Sequence, residues 1–272
     1  MGHNPLGEDS AVPSRYAPEI LFGIERQINR TEFGIIGSLP FVGFDLWNCY
    51  ECSWLDLLGR PVNRCCRITY GCDSPRIVES KSLKLYLFSL NMTHFADVEI
   101  VREIIKNDLT TVTGADDLKV DFFEEGECAQ DSGFSKQAVC IDSVVLSRTP
   151  VLLPEVKLRV DTGEPVEEIL YSALFRSLCP VTAQPDWGCV TIKYQGQAIN
   201  RSSLLEYLIA YRQHQGFHEE CCERIFFDIS RSCRPTTLSV MCRFLRRGGL
   251  DINPVRTSPG SEALGYIREF RQ

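Results

Sequence analysis

Cys179 and Asp186 stand seven residues apart in "SLCPVTAQPDWG", residues 177–188, with Pro185 and Trp187 beside the acid. A cysteine and a carboxylic acid at this spacing are either a nucleophile with its proton source or a buried thiol and a turn. Further along, His218 and Glu219 are adjacent in "GFHEECC". Alone, that pair reads equally as the start of a helix, where the helix dipole favours glutamate. The rest of the chain has to decide between these readings.

The elements that would position these residues occur twice. "SKSLKLYL" (80–87) resembles "RSSLLEYL" (201–208), and upstream "CCRITY" (65–70) resembles "CVTIKY" (189–194). Ordered self-similarity of this kind indicates two diverged copies of one module. In the second copy "ILYSALFRS" and "GCVTIKY" read as strands. "SSLLEYLIAYRQH" reads as a helix, with Ser203 and Glu206 at capping-box spacing. "EECCERIFFDIS" is a second helix, with Cys222, Ile225, Phe226 and Ile229 on one stripe. "TTLSVMCRFLRR" alternates as a strand, and "LGYIREF" reads as the last one. The first copy gives "LWNCYECSWL", "RCCRITY", a helix after Ser82, a helix through Val98, Val101, Ile105 and Leu109, then "DDLKVDFFE" and "QAVCIDSVV". Both copies are strand-strand-helix-helix-strand-strand, which predicts an α+β architecture with helices on one face of an antiparallel sheet. The two prolines of "SRTPVLLPEV" place the module boundary there, giving 1–148 and 149–272. Laid on the first copy, Cys179 falls near Leu55, Asp186 near Val62, and His218-Glu219 on Asp97-Val98. Only the second copy carries the reactive groups, whereas the first carries "ESKS" at its helix start. One active site drawing on both halves follows.

Composition narrows the class. The chain has 272 residues, 44% hydrophobic and 24% charged, with a net charge of -7. That is globular, and it advertises no basic face for nucleic acid or an anionic membrane. The N-terminus shows no signal pattern, and Leu6 stands where a myristoylation signal wants Ser or Thr. No apolar run reaches transmembrane length. The 13 cysteines include adjacent pairs at Cys65-Cys66 and Cys221-Cys222. Adjacent cysteines rarely bridge each other, so the expected setting is the cytoplasm with reduced thiols. Cys65, Cys66, Cys189, Cys221 and Cys222 read as structural.

Taken together, "ESKSLKLYLFSLN", "CPVTAQPDW", "GFHEECCERIFFDI" and "RRGGLDINP" resemble, in order, the blocks of the QueF family. These are NADPH-dependent nitrile reductases that convert 7-cyano-7-deazaguanine to 7-aminomethyl-7-deazaguanine. The resemblance covers nearly the whole chain in the long, two-module form. It implies tandem tunnelling-fold modules, a four-electron reduction using two NADPH, a homodimer, and a place in making queuosine for tRNA, without contact to tRNA itself. Carried over by position, it implies Cys179 as nucleophile and Asp186 as proton donor. His218, Glu219, Val78, Glu79 and Ser80 would meet substrate, and Ser80, Lys81, Arg247 and Gly248 would meet NADPH. No metal is implied.

The chemistry suits these groups. A thiolate adding to a nitrile gives a covalent thioimide that accepts hydride more readily. The site must favour the thiolate, since a free thiol has a pKa near ~8.5. Pro185 and Trp187 would raise the pKa of Asp186 so that it can donate. His218 could relay a proton. Either Glu219 or Glu79 could accept two parallel N–H groups from the deazaguanine edge. There is no G-x-G-x-x-G after a strand, so NADPH phosphates would fall to Lys81, Arg246 and Arg247, with Gly248 and Gly249 allowing close approach. Rival readings are a cysteine hydrolase using Cys179, His218 and Asp186, a cyclohydrolase with zinc on His218, Cys221 and Cys222, and a non-catalytic purine-binding module.

Overall fold

A computed structural model describes residues 13–124, 137–147, 152–153, 156–269 and 271–272. The expected boundary at 148/149 lies outside the described residues, as does most of the N-terminal stretch read for targeting signals. The chain divides into two compact units. One comprises Met1–Thr31, Phe44–Gln130 and Arg246–Asp251; the other comprises Glu32–Gly43, Asp131–Leu245 and Ile252–Gln272.

In the first unit, β2 (Val42–Leu55), β3 (Pro61–Gly71) and β5 (Lys119–Phe123) form an antiparallel array in the order β5-β3-β2. Cys66, Ile68 and Tyr70 alternate inward along β3, as a strand with one buried face must. Short strands β1 (Gly23–Glu25) and β4 (Arg76–Val78) pair separately, and α1 (Arg26–Glu32) follows β1. Arg26 of α1 forms a buried ion pair with Asp45. Helix α2 spans Ser80–Leu90 and α3 spans Val98–Thr113. In α3, Val101, Ile105 and Leu109 are buried, one stripe at helical spacing. It starts on the Asp97 side chain, which accepts the Ile100 N–H, and ends on Gly114 in the left-handed region.

In the second unit the strand order is β11-β10-β9-β7-β6, with β6 at Ala138–Cys140, β7 at Val166–Ser172, β9 at Pro185–Gly196, β10 at Thr237–Phe244 and β11 at Leu250–Thr257. β8 (Arg176–Leu178) pairs with the start of β9. Helices α4 (Arg201–Ile209) and α5 (His218–Cys233) complete the unit, and α5 packs on β10. Cys221, Cys222, Ile225, Phe226 and Ile229 line the buried side of α5. The architecture is α+β, as expected: β2 with β3, β3 with β5, β7 with β9, β9 with β10 and β10 with β11 pair antiparallel, and β6 with β7 pair parallel.

Four local expectations are corrected. "ILYSALFRS" is two strands, β7 and β8, broken at Ala173–Phe175. Of "QAVCIDSVV", only Ala138–Cys140 is strand. The last strand is not "LGYIREF" but β11, within "LDINPVRT"; Pro254 made that segment a poor strand candidate, yet all eight residues are buried. The C-terminus instead packs through Gln272, whose Nε2 donates to Phe244 O at 2.9 Å and Asn253 Oδ1 at 2.7 Å. Finally, α4 is capped by Asn200, which accepts the Ser203 N–H at 3.0 Å. Ser203 is already inside the helix, and Glu206 accepts from Ser147 N–H and Oγ rather than closing a capping box.

Candidate active site

The seven-residue spacing of Cys179 and Asp186 is the length of a hairpin. Ser177 pairs with Asp186 and Leu178 with Pro185. The loop closes through Cys179 N–H to Gln184 O at 2.9 Å and Ala183 N–H to Cys179 O at 3.0 Å. Ala183 sits in the left-handed region at φ +53°, a conformation a six-residue reversal can demand of one residue. Side chains alternate across a strand, so Ser177, Cys179 and Asp186 share a face. That face is the buried one, with Cys179 9% and Asp186 7% exposed. The β8 strand is also tied to the segment before α5, through Leu178 N–H to His214 O at 2.8 Å and Gly216 N–H to Leu178 O at 3.1 Å.

Trp187 lies on the opposite face. It is 39% exposed and flanked by the guanidiniums of Arg176 at 5.6 Å and Arg212 at 5.3 Å. Pro185 is exposed as well. The expected apolar shelter for Asp186 from these two neighbours is therefore wrong, because strand alternation turns them outward. On its own face Asp186 meets His218 of α5 instead.

His218 and Glu219 occupy the first turn of α5. His218 Nε2 is 3.3 Å from Asp186 Oδ2. The imidazole stacks on Phe244, centroids 3.7 Å apart at 12°. Phe244 pairs with Gly188, where a Cβ would come within 3.0 Å of Arg243 O and 3.3 Å of the Phe244 ring. Glycine there lets β9 carry Asp186 close beneath the ring that holds His218. The Nδ1 of His218 has no hydrogen-bond partner among the described residues, so it is available to a ligand. Glu219 is buried beside it, at the positive end of the helix dipole.

Two devices pin α5 to the sheet. Cys222 Sγ lies within hydrogen-bond reach of Val240 O (3.6 Å) and Pro254 O (3.4 Å). Glu223 Oε1 accepts from Arg256 Nε at 3.1 Å and Nη2 at 2.8 Å. Burial pushes the Cys221 thiol well up, with the nearby Glu220 and Asp186 charges adding to the effect. Both members of the pair thus sit as packed thiols, in keeping with the structural reading.

The remaining expected residues gather in the first unit. Val78 ends β4, and Glu79 caps α2: Oε1 accepts Lys81 N–H and Oε2 accepts Ser82 N–H, each at 2.7 Å. The cap is thus Glu79 rather than Ser80 or Ser82; Ser82 Oγ donates to Glu79 O at 2.7 Å. Burial raises the Glu79 carboxyl, opposed by those N–H bonds. Arg247, Gly248, Gly249 and Leu250 make a tight turn, closed by Arg247 N–H to Leu250 O at 2.9 Å. Gly248 and Gly249 have φ of +58° and +75°, the positive pair that a two-residue hairpin turn of the primed type needs. A Cβ on Gly248 would lie 3.1 Å from Lys84 Cε, so the turn rests on α2 one turn beyond Lys81. The Tyr50 N–H donates to Gly249 O at 2.9 Å, and the Arg246 guanidinium covers the Tyr50 ring at 4.5 Å. Lys84, Arg246 and Arg247 at a turn with two side-chain-free positions, with Lys81 one helical turn before Lys84, fit a phosphate-rich cofactor. Sequence reasoning missed Phe244 and Lys84. The i, i+3 spacing from Lys81 was a signal for Lys84; for Phe244 there was none, because the contact is between strand and helix.

Comparison with known proteins finds relatives over nearly the whole chain. Residues 12–122 match the family model "Nitrile reductase, 7-cyano-7-deazaguanine-reductase N-term", and residues 185–262 match "QueF-like protein". The NADPH-dependent 7-cyano-7-deazaguanine reductase of Ralstonia nicotianae is 45% identical, covering 99% of this chain and 98% of its own. Proteins of the same name from Xanthomonas campestris pv. campestris and Desulfotalea psychrophila are 47% and 46% identical, each alignment covering 98% of this chain and 97% of theirs. Among solved structures, an archaeosine synthase QueF-Like in the apo form is similar over 38% of this chain, at 18% identity and a TM-score of 0.32, too slight a likeness to add to the argument. This chain belongs to the family of NADPH-dependent 7-cyano-7-deazaguanine reductases.

Proposed function

We propose that the chain reduces the nitrile of 7-cyano-7-deazaguanine to the aminomethyl group through a covalent intermediate on Cys179. The observation that carries this reading is the hairpin face shared by Cys179 and Asp186, with His218 Nε2 3.3 Å from the Asp186 carboxylate. The Cys179 sulfur forms a bond to the nitrile carbon, and one C–N π bond breaks toward nitrogen. Asp186 gives that nitrogen its proton, leaving a thioimide. NADPH, held by Ser80, Lys81, Arg247 and Gly248, would supply the hydride for each of the two two-electron reductions at this carbon. After the first, the C–S bond breaks and Cys179 leaves as thiolate, giving an imine. His218 stands where it can pass a proton to Asp186 between steps. Two NADPH and two protons are consumed per amine.

Glu219 takes the adjacent N–H groups of the pyrimidine edge in this reading. Both Glu79 oxygens already accept helix N–H groups, which favours Glu79 as a rigid support for Val78 and Ser80 at the substrate. Ser80, Lys81, Arg247 and Gly248 hold NADPH. We further propose that the protein works as a homodimer of two tunnelling-fold modules per chain, 1–148 and 149–272. It would act in the cytoplasm on the free base, ahead of queuosine insertion into tRNA. Among the described residues no helix is long and apolar enough to cross a membrane.

The test is NADPH absorbance with 7-cyano-7-deazaguanine added, with Cys179→Ala as control. Two NADPH consumed per amine, abolished in the variant, supports the reading. Nitrile binding without NADPH loss sinks it, and ammonia release would then favour a hydrolase.

A further inference from the structure

The second unit holds a cleft far in character from the candidate active site. It has a volume of about 490 Å³ and, among the described residues, is lined by Leu153, Val156, Leu158, Tyr207 and five further polar residues. Those five are Lys157, Arg224, Asp228, Arg231 and Ser232. Among the described lining residues three cations face one carboxylate, on a chain whose net charge is -7. A positive concavity on an acidic protein is not the statistical result of a basic surface.

Its construction follows from α5. Arg224, Asp228, Arg231 and Ser232 fall at i, i+4, i+7 and i+8, a single helix face turned away from the buried Cys222–Ile225–Ile229 side. Asp228 is already engaged, since Tyr207 Oη donates to its Oδ2 at 2.7 Å. Arg224 Nε is buried, makes no hydrogen bond among the described residues, and is 3.8 Å from that same Oδ2. A buried guanidinium N–H without an acceptor is a position where an oxyanion would complete the bonding. Arg231 lies over the Phe227 ring at 5.3 Å, which holds its guanidinium near the cleft. On the other wall Leu153, Val156 and Leu158 are apolar. The volume is in the range of small-molecule sites, roughly 300–1,000 Å³.

We infer that this cleft binds a phosphate-bearing small molecule, with Arg224, Lys157 and Arg231 on the phosphate and the leucine-valine wall on its body. The site is built from residues with no part in the proposed reaction, so it stands or falls apart from that reading.

Inorganic pyrophosphate is the probe, read by calorimetric titration and thermal shift on the full chain. Saturable binding is expected. Arg224→Gln should weaken it ~10-fold or more, the loss typical of one charge-assisted contact. Asp228→Asn should tighten it, because a repelling charge is removed while an acceptor for Tyr207 remains. Lys81→Ala should leave it unchanged, which separates this site from the cofactor cluster. Opposite signs at Arg224 and Asp228 are not what general loss of folding produces, and unliganded melting curves check the fold of each variant. No saturable binding, or binding that Arg224→Gln leaves intact, or binding lost in Lys81→Ala, would overturn the inference.

Discussion

Removing Glu223 tests how α5 is held under the candidate site. Arg256 is fully buried, and its guanidinium has two bonds to Glu223 Oε1, one from Nη1 to Val255 O at 2.9 Å, and the Phe41 ring at 5.6 Å. Glu223→Ala takes both carboxylate bonds from that buried guanidinium. Breaking one side of a buried pair costs about 3–5 kcal/mol, most of it the uncompensated charge. For a chain of this size a kcal/mol moves the melting temperature by about 2 °C, so a fall of roughly 6–10 °C is expected. The double variant Glu223→Leu with Arg256→Met removes both charges and refills the volume with apolar atoms. It should recover to within ~2 kcal/mol of the parent, because the desolvation penalty goes with the pair. The assay is thermal unfolding of parent, both single variants and the double. A double variant as unstable as Glu223→Ala would refute the reasoning, since the loss would then be the pair's attraction and not a stranded charge. Because the first turn of α5 holds His218 and Glu219, KM for the nitrile should rise in Glu223→Ala and return in the double variant.

Four other outcomes follow from the same geometry. Gly249→Ala puts a methyl 2.7 Å from Glu51 Cδ at φ +75°, adding about 1–2 kcal/mol of left-handed strain to a clash; the melting temperature should fall and KM for NADPH rise while the Cys179 alkylation rate stays put. Asn200→Ala removes the cap of α4 and should cost about 1 kcal/mol in unfolding experiments, with NADPH oxidation unchanged. Burial raises the Cys233 thiol to about 11 and the Cys189 thiol to about 12, so iodoacetamide at neutral pH should label exposed Cys140 and spare both in the native protein, as peptide mapping would show. The sign for stability follows: a thiol raised on folding stabilises fully below its ordinary value of 9, and that contribution is lost as pH climbs toward 12. Melting temperature should therefore drop more steeply above pH 9 in the parent than in Cys189→Ala.

What the sequence determined by itself was the inventory and its order. The stripe Val101, Ile105, Leu109 and the stripe Cys222, Ile225, Phe226, Ile229 were legible because helical burial repeats every three to four residues. The ordered blocks around Glu79, Cys179, His218 and Arg247 were legible because a family's chemistry keeps residue types at set positions. Tertiary structure decided everything that depends on which face a residue turns to. Trp187 and Asp186 are neighbours in sequence yet face opposite ways, so proximity along the chain misjudged the acid's environment. Asn200 and Glu79, not the serines after them, cap their helices, because a cap is chosen by backbone geometry at the helix entry and not by residue type alone. The stacking of His218 on Phe244 joins a helix to a strand far apart in the chain, and no local pattern encodes such a contact. Strand β11 hid behind Pro254 for a like reason: its burial comes from neighbours supplied by the fold, and these outweigh the local preference against proline in a strand.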